Sequence, residues 1–209
     1  MCVPPGLSAT DWIIHGLWPS KFNSSGLEHC RTIPFNPDPL QPLLNDLNAF
    51  WPSLTATKRP DKFWGHEWKM HGTCAQSLAS LTGELNYFHR SLELRAQYNL
   101  YNVLQGQSIV PSSNRTYTHD DVAGALQRQY NKRIGVYCSY SNVTSQHYFA
   151  EVRVCLQKDL SLMDCPDYVT HTEEASSCPK RKPVLYPVFS PSSFFEIPVH
   201  QKGRSNKKG

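Results

Sequence analysis

The chain of 209 residues lacks several features that would place it in a class of protein at once. It has no run of about eighteen apolar residues, so we expect no membrane-spanning helix. Its cysteines include no C-x-x-C pair, which argues against a zinc ribbon or a thioredoxin-like redox site. It has no internal repeat, and its length suits one domain with a tail at most.

The cysteines and glycosylation signals that are present predict the secretory route. Seven cysteines are many for a cytosolic chain, and the sequons at Asn23, Asn114 and Asn142 are acceptor sites for N-linked glycans. The chain begins without the charged and apolar regions of a signal peptide. We therefore expect a secreted or endolysosomal protein whose signal peptide is removed or whose true amino terminus is missing. The odd cysteine count favours the second, because Cys2 has no obvious partner.

Charge gives only weak guidance about partners. The net charge is +4, which favours a polyanion slightly. Part of this excess lies in residues 191–209, which we expect to form a basic, disordered tail after a domain over residues 1–190.

Local patterns predict an α+β fold, with helices in the middle of the chain and strands towards both ends. Helical periodicity and capping predict helices over 40–50, 66–81, 85–98 and 118–130, with Gly72 as a weak point or a break in the second. Alternating and β-branched residues predict strands over 12–18, 134–138, 147–156 and 184–189.

Two short segments contain three of the nine histidines, each beside tryptophan and glycine. They are residues 12–19 (WIIHGLWP) and 63–74 (FWGHEWKMHGTC). Histidine exchanges protons near neutral pH, and flat aromatic rings stack on nucleobases. If the segments face one another, His15 and His71 can accept and donate a proton around one reacting group, with Glu67 nearby.

Two other interpretations of these histidines remain. A zinc motif needs two histidines four residues apart on a helix, whereas His66 and His71 are five apart, so their side chains diverge by roughly 140°. We therefore expect no metal. Histidines satisfied by local hydrogen bonds in a core or on a surface are the other alternative. That alternative suits one isolated histidine better than three beside Glu67 and several tryptophans.

The two segments resemble the active-site segments of the ribonuclease T2 family, which are secreted or lysosomal endoribonucleases. Residues 86–94 (NYFHRSLEL) and 151–156 (EVRVCL) are also similar to this family, so that the resemblance covers most of residues 2–190. It implies a central antiparallel sheet packed with several helices. It also implies a monomer that cleaves single-stranded RNA through a 2′,3′-cyclic phosphate, without metal, cofactor or membrane.

The resemblance also implies a role for each site residue. His71 would be the general base, His15 the general acid and His66 a phosphate ligand. Glu67 would support the pentacoordinate state or hold a histidine in place. The bases would be bound by Trp18 and Phe63, and the disulfides implied are Cys30–Cys74, Cys138–Cys178 and Cys155–Cys165.

Three departures from the family pattern suggest an alternative function. Met70 stands where the family usually has lysine, and Lys69 is turned about 100° away on a helix. Ser20 stands where an acidic residue often reads the base, and the family's first strand, with a partner for Cys2, is expected to be missing. The alternative is a catalytically impaired relative that acts as a secreted RNA-binding or signalling protein.

Overall fold

The structure, a computed structural model, describes residues 12–21, 26–53, 59–170, 178–179 and 182–188. Its helices are α1 (Leu44–Phe50), α2 (Pro60–Met70), α3 (Gly83–Gln97), α4 (Leu100–Gly106), α5 (His119–Tyr130) and α6 (Asp167–Thr170). Its strands are β1 (Thr116–Tyr117), β2 (Gly135–Ser141), β3 (Gln146–Arg153) and β4 (Val184–Leu185). Short 3₁₀ helices cover Asp38–Leu43, Gly72–Cys74 and Ala79–Leu81. The expected α+β class is confirmed.

The four strands form one mixed sheet in the order β1-β4-β3-β2. Strands β2 and β3 form an antiparallel hairpin, and β1 is antiparallel to β4. Strand β4, however, runs parallel to β3, with Tyr148 opposite Leu185. The expected antiparallel sheet is corrected at this one pairing. A long connection separates β3 from β4, and only a tight turn would have imposed the antiparallel direction.

A β-bulge lies in the hairpin between β2 and β3. The register shifts between Tyr137 and Cys138, where β3 has one extra residue. Bulges bend a strand and change where its side chains point. Beyond this bulge, Glu151 and Arg153 project from one face of β3, because residues two apart on a strand share a face. Val152, between them, packs against a buried cluster on the other face.

Two hydrophobic clusters fill the interior. The first lies among the helical elements, and its fully buried members include Trp51, Trp68, Tyr87, Phe88 and Leu47. The second lies between the sheet and helix α5, and includes Leu104, Val122, Leu126, Val136 and Val184. Residues 12–19 run between the two: Ile14 and Leu17 pack against the first cluster and Trp12 packs against the second.

Helix α5 confirms the helix predicted over 118–130. The hydroxyl of Thr118 accepts a hydrogen bond from the backbone N–H of Asp121, whose carboxylate accepts one from the backbone N–H of Thr118. This capping box satisfies two amides at the start of the helix. Asn131, in the left-handed conformation, ends it.

The strand predicted over 12–18 is wrong. These residues have no strand pairing; instead their backbone is bonded to helical elements, as where Ile14 N–H donates to the carbonyl of Phe50 over 2.7 Å. Aromatic and β-branched residues are typical of a half-buried extended segment. In this segment, however, the backbone hydrogen bonds are made with helical elements and not with a neighbouring strand.

The helix predicted over 66–81 is corrected at both ends. Helix α2 begins at Pro60, which suits a first helical turn, and its last residue is Met70. His71 leaves the helical conformation at φ −124° and ψ −44°. Gly72 then lies so close to the indole of Trp68 that a Cβ atom there would collide with the ring. Gly72 is therefore a break rather than a weak point in one long helix.

Three disulfides join the described cysteines. They are Cys30–Cys74, Cys138–Cys178 and Cys155–Cys165, the pairings that the resemblance implies. Cys2 and the predicted tail over 191–209 lie outside the described residues. Within the described ranges, no helix is long and apolar enough to cross a membrane.

Candidate active site

The first histidine segment is held in place by helices of the first cluster. The indole of Trp51 donates to the carbonyl of His15 over 2.9 Å, and the hydroxyl of Tyr87 donates to the carbonyl of Leu17 over 2.7 Å. Both donors come from fully buried side chains. The backbone around His15 is therefore positioned by the helical core, while 58% of its side chain stays exposed.

The second segment presents its residues from helix α2 and from the turn that follows it. Trp64 and Trp68 are buried in the first cluster, as a packing role predicts. Glu67 is also buried, with 2% of its surface exposed, whereas His66 is exposed. Phe63, expected to line a base site, is half-buried and packs against the same cluster.

The two segments interlock through one hydrogen bond. The indole N–H of Trp18 donates to Oε2 of Glu67 over 3.1 Å. Gly16 lies directly against this pair, because a Cβ atom at Gly16 would collide with both bonded atoms. Glycine is therefore required at this point by the close approach of the two segments.

The ring of Trp18 contacts two imidazoles. Its centroid is 4.8 Å from that of His15, in an edge-on arrangement, and 5.5 Å from that of His71. Histidines separated by more than fifty residues in the sequence thus meet at one indole. This is the convergence on which the acid–base prediction depends.

Strand β3 adds two charged residues that the sequence analysis missed. Oε2 of Glu151 lies 2.9 Å from Nδ1 of His15, and Arg153 Nε donates to the other carboxylate oxygen. The guanidinium of Arg153 also lies 5.2 Å from the ring centre of Trp18 and 4.1 Å from that of Tyr137. The sequence signals were a charged pair at alternate positions of a predicted strand, which is common on solvent-facing strands, and the resemblance of residues 151–156 to the family, which assigned no role to either residue.

The electrostatics of the site move the pKa values of the two histidines apart. Burial lowers the pKa of His15, but the hydrogen bond and charge of Glu151 outweigh burial, and the pKa is raised. Burial lowers the pKa of His71 and outweighs the Leu27 backbone hydrogen bond and the charge of Glu28, which raise it; His66 and His15 lower it by smaller amounts. Opposite shifts of this kind separate an acid from a base.

The two carboxylates are also shifted in opposite directions. Burial raises the pKa of Glu67, although the Trp18 hydrogen bond opposes this. Burial would raise the pKa of Glu151 as well, but its contacts with His15 and Arg153 outweigh burial and lower it. Glu151 is therefore the carboxylate held ionised beside His15.

The positions that depart from the family pattern have identifiable surroundings. Met70 is half-buried at the end of helix α2, and its carbonyl accepts a hydrogen bond from His29 N–H over 3.0 Å. Lys69 is exposed, as its predicted surface role requires. Ser20 is exposed, and its hydroxyl accepts a hydrogen bond from the Tyr168 hydroxyl over 3.3 Å.

The remaining predictions concern glycosylation and metal binding. Asn114 and Asn142 are exposed, whereas Asn23 lies outside the described residues. Among the residues that are described, no group of three or more His, Cys, Asp or Glu side chains could hold a metal ion. Glycosylation and metal independence stay predictions.

Comparisons with known proteins agree on one family. The model of the ribonuclease T2 family matches residues 1–165. Ribonuclease Oy of Magallana gigas is 36% identical over 185 residues, which are 86% of this chain and 84% of that protein. The crystal structure of human RNase T2 is similar with a TM-score of 0.71 and 34% identity, covering 88% of this chain and 87% of its own. A mutant of ribonuclease MC1, an enzyme of bitter gourd seeds, has been solved with 5′-GMP; its TM-score is 0.66, with 31% identity over 74% of this chain and 78% of its own. The range matched by the family model contains both histidine segments and the charged pair of β3.

Proposed function

This chain belongs to the ribonuclease T2 family, and we propose that it is a metal-independent endoribonuclease acting on single-stranded RNA. The observation that carries the proposal is the contact of both His15 and His71 with the ring of Trp18, together with pKa shifts in opposite directions. A neutral imidazole and a protonated one at the same site are what paired proton transfer requires.

The proposed reaction is an internal transesterification. His71, held neutral, takes the proton from a ribose 2′-hydroxyl as that oxygen attacks the adjacent phosphorus. The bond from phosphorus to the 5′-oxygen breaks, and His15 donates a proton to this leaving oxygen. The products are a 2′,3′-cyclic phosphate and a free 5′-hydroxyl, so no proton is gained or lost overall.

The other residues of the site would bind and orient the RNA. His66, exposed one residue before Glu67, is proposed to hold the phosphate. Trp18 is proposed to stack on one base and Phe63 to border the site of the other, since every base has a face that stacks on aromatic rings. The bond between Glu67 and the Trp18 indole supports a role for this carboxylate in holding the base platform and the first segment together.

The nucleic acid is the first variable to test. We expect the folded protein in EDTA to cleave a short single-stranded RNA to cyclic phosphate ends and to leave the DNA of the same sequence intact, because DNA lacks the attacking hydroxyl. Equal cutting of DNA, or a strict need for metal, would contradict the proposal. Mass spectrometry of the products identifies the cyclic ends.

Removal of the base is the second test. His71→Ala should lower kcat by about 10²- to 10⁴-fold, the usual contribution of a general base. His89→Ala is a matched control, because this histidine lies exposed on helix α3 beside Glu93, away from the site. Equal activities of the two variants would remove His71 from the mechanism.

Met70 favours one second candidate function, an impaired relative that binds RNA or signals in the secretory pathway. If the usual lysine stabilises developing phosphate charge, its absence costs about 10²- to 10³-fold in rate. Met70→Lys should then raise kcat by that factor, whereas Lys69→Met, on the exposed side, should change little. Robust and equal activity of wild type and Met70→Lys would dismiss this candidate.

We propose a secreted or endolysosomal location and a monomeric state. The three disulfides support an oxidising compartment, and the exposed Asn114 and Asn142 would carry glycans there. Treatment of secreted protein with an endoglycosidase should lower its apparent mass, and light scattering should give the mass of one chain.

A further inference from the structure

Three side chains linked by polar contacts lead from the sheet into the active site: Arg153, Glu151 and His15. Oε2 of Glu151 lies 2.9 Å from Nδ1 of His15, and Oε1 accepts from Nε of Arg153. The guanidinium of Arg153 lies over the ring of Tyr137, the β2 residue opposite Glu151, at 4.1 Å. The two oxygens of the carboxylate are therefore held from two sides, and Arg153 itself rests on a buried ring.

An ionised carboxylate determines which nitrogen of the bonded histidine carries the proton. It can only accept hydrogen bonds, so Nδ1 of His15 must be the donor. The opposite nitrogen, Nε2, is then directed away from the sheet and is the one available for proton exchange with a ligand. We propose that Glu151 is the positioning residue of His15: it fixes the tautomer and the ring direction so that Nε2 faces the leaving 5′-oxygen. This inference rests on the function proposed above.

The contact differs from an ordinary surface ion pair. An exposed pair between long, mobile side chains is worth little, because ordering them costs entropy. Only 22% of the Glu151 side chain is exposed. Its hydrogen bond with Arg153 holds the carboxylate in place independently of the contact with His15. The bulge in β3 lies immediately before Glu151 and sets the direction of this side chain.

Burial and three charged groups set the protonation of His15. Burial and Arg153 oppose the imidazolium, whereas Glu151 and Glu67 favour it. The imidazole of His71, whose own pKa is lowered, packs on the same indole. Without the Glu151 charge, Glu67 alone remains to offset burial and Arg153. The pKa of His15 should therefore fall when Glu151 becomes neutral.

Glu151→Gln tests the proposal, because glutamine keeps the shape and removes the charge. We expect kcat to fall by about 10- to 100-fold with KM nearly unchanged, since a mispositioned acid loses part of the 10²–10⁴-fold that general acids contribute. The alkaline limb of the kcat/KM profile should move to lower pH. Glu93→Gln, which breaks the 2.8 Å pair with Arg90 on helix α3, is the matched control and should change neither quantity.

A measurement without RNA separates this inference from the proposed function. The ¹⁵N spectrum of the histidine rings in the folded protein reports the tautomer and titration of His15. We expect Nδ1–H in the wild type, and a lower pKa with a mixture of tautomers in Glu151→Gln. Glu151→Asp keeps the charge but has a shorter side chain, so the raised pKa of His15 should be retained to a greater extent than kcat. This variant replaces Glu151→Gln if the glutamine variant does not fold.

The outcomes are distinct. An unchanged His15 titration and tautomer in the glutamine variant would overturn the positioning role even if RNA cleavage is confirmed. The expected titration change in a protein that leaves RNA intact would support the contact and refute the proposed function. A fall in kcat with no movement of the alkaline limb and no change of tautomer would also overturn the inference, because general loosening explains it.

Discussion

The close approach at Gly16 gives the sharpest test of how the two histidine segments fit together. In Gly16→Ala, the added methyl group would overlap both atoms of the hydrogen bond between Trp18 and Glu67. Glu67 is buried and cannot swing into solvent, so Trp18 must move and the bond must lengthen or break. Overpacking costs about 1–3 kcal/mol, and a lost hydrogen bond to a charged group adds about 1.5–3 kcal/mol. Since part of the overlap is relieved when the bond breaks, we expect a loss of about 2–4 kcal/mol.

The effect on catalysis should be larger than this loss of stability implies. The ring of Trp18 packs against both His15 and His71, so its displacement removes a contact that positions the acid and the base. A misplacement of about 1 Å can cost about 10²-fold in rate. We therefore expect kcat/KM to fall by about 100-fold under conditions where the variant is fully folded.

The control for this prediction is the same substitution on helix α5. A methyl group at Gly124 would meet only the flexible end of Arg128, at 3.2 Å. Because glycine inside a helix is less favourable than alanine, Gly124→Ala should stabilise the fold by about 0.5–1 kcal/mol and keep full activity. Urea unfolding and steady-state kinetics on RNA measure both variants. A Gly16→Ala protein whose free energy of unfolding lies within about 0.5 kcal/mol of wild type, with at least half the activity, would refute the close packing of the two histidine segments at Gly16.

Three further predictions concern charge, cross-links and pH. The pKa of Glu67 is raised in the folded state, so its ionised form destabilises the fold above that pKa. Glu67→Gln should therefore raise the free energy of unfolding at pH 7, with a gain that fades as the pH falls towards 4.5, and should lower kcat; a loss of stability at pH 7 would contradict this. Replacing both cysteines of the Cys30–Cys74 disulfide by serine opens a loop of 44 residues and should lower the free energy of unfolding by about 4 kcal/mol, as measured with urea. A decrease of less than about 1 kcal/mol would contradict this prediction. The kcat/KM profile should be a broad plateau, because the pKa of the base His71 is lowered and that of the acid His15 is raised; a narrow peak would argue against these roles.

Local signals in the sequence predict the elements whose stability is local. Helix α5 follows from Thr118 and its capping box, and strands β2 and β3, though not their pairing, follow from alternation of apolar residues. The segment over 12–18 could not be assigned in this way. Its hydrogen-bond partners are Trp51 and Tyr87, tens of residues away, and its composition is the same whether the partners are strands or side chains from helices.

The end of helix α2 shows a local side-chain contact overriding apolar periodicity. Apolar spacing continues past Met70 and predicts one helix to residue 81. The tight packing of Gly72 against Trp68 turns the chain there instead. This turn places His71 at the helix end, where its ring meets Trp18. The meeting of the two histidine segments therefore does not require the predicted continuous helix, because the turn after Met70 brings His71 to Trp18.

The charged pair of β3 was outside the reach of sequence reasoning for a different reason. Glu151 lies 136 residues from His15, and a bulge whose position no local pattern marks sets its direction. His15 thus depends on two separate parts of the fold: its backbone is held by the helical cluster through Trp51, and its ring is held by the sheet through Glu151. His71 instead ends a helix packed in that cluster, and the backbone of Leu27 is hydrogen-bonded to its side chain. Changes that loosen the sheet should therefore move the alkaline limb of activity and spare the acid limb, so that acid and base can be perturbed one at a time.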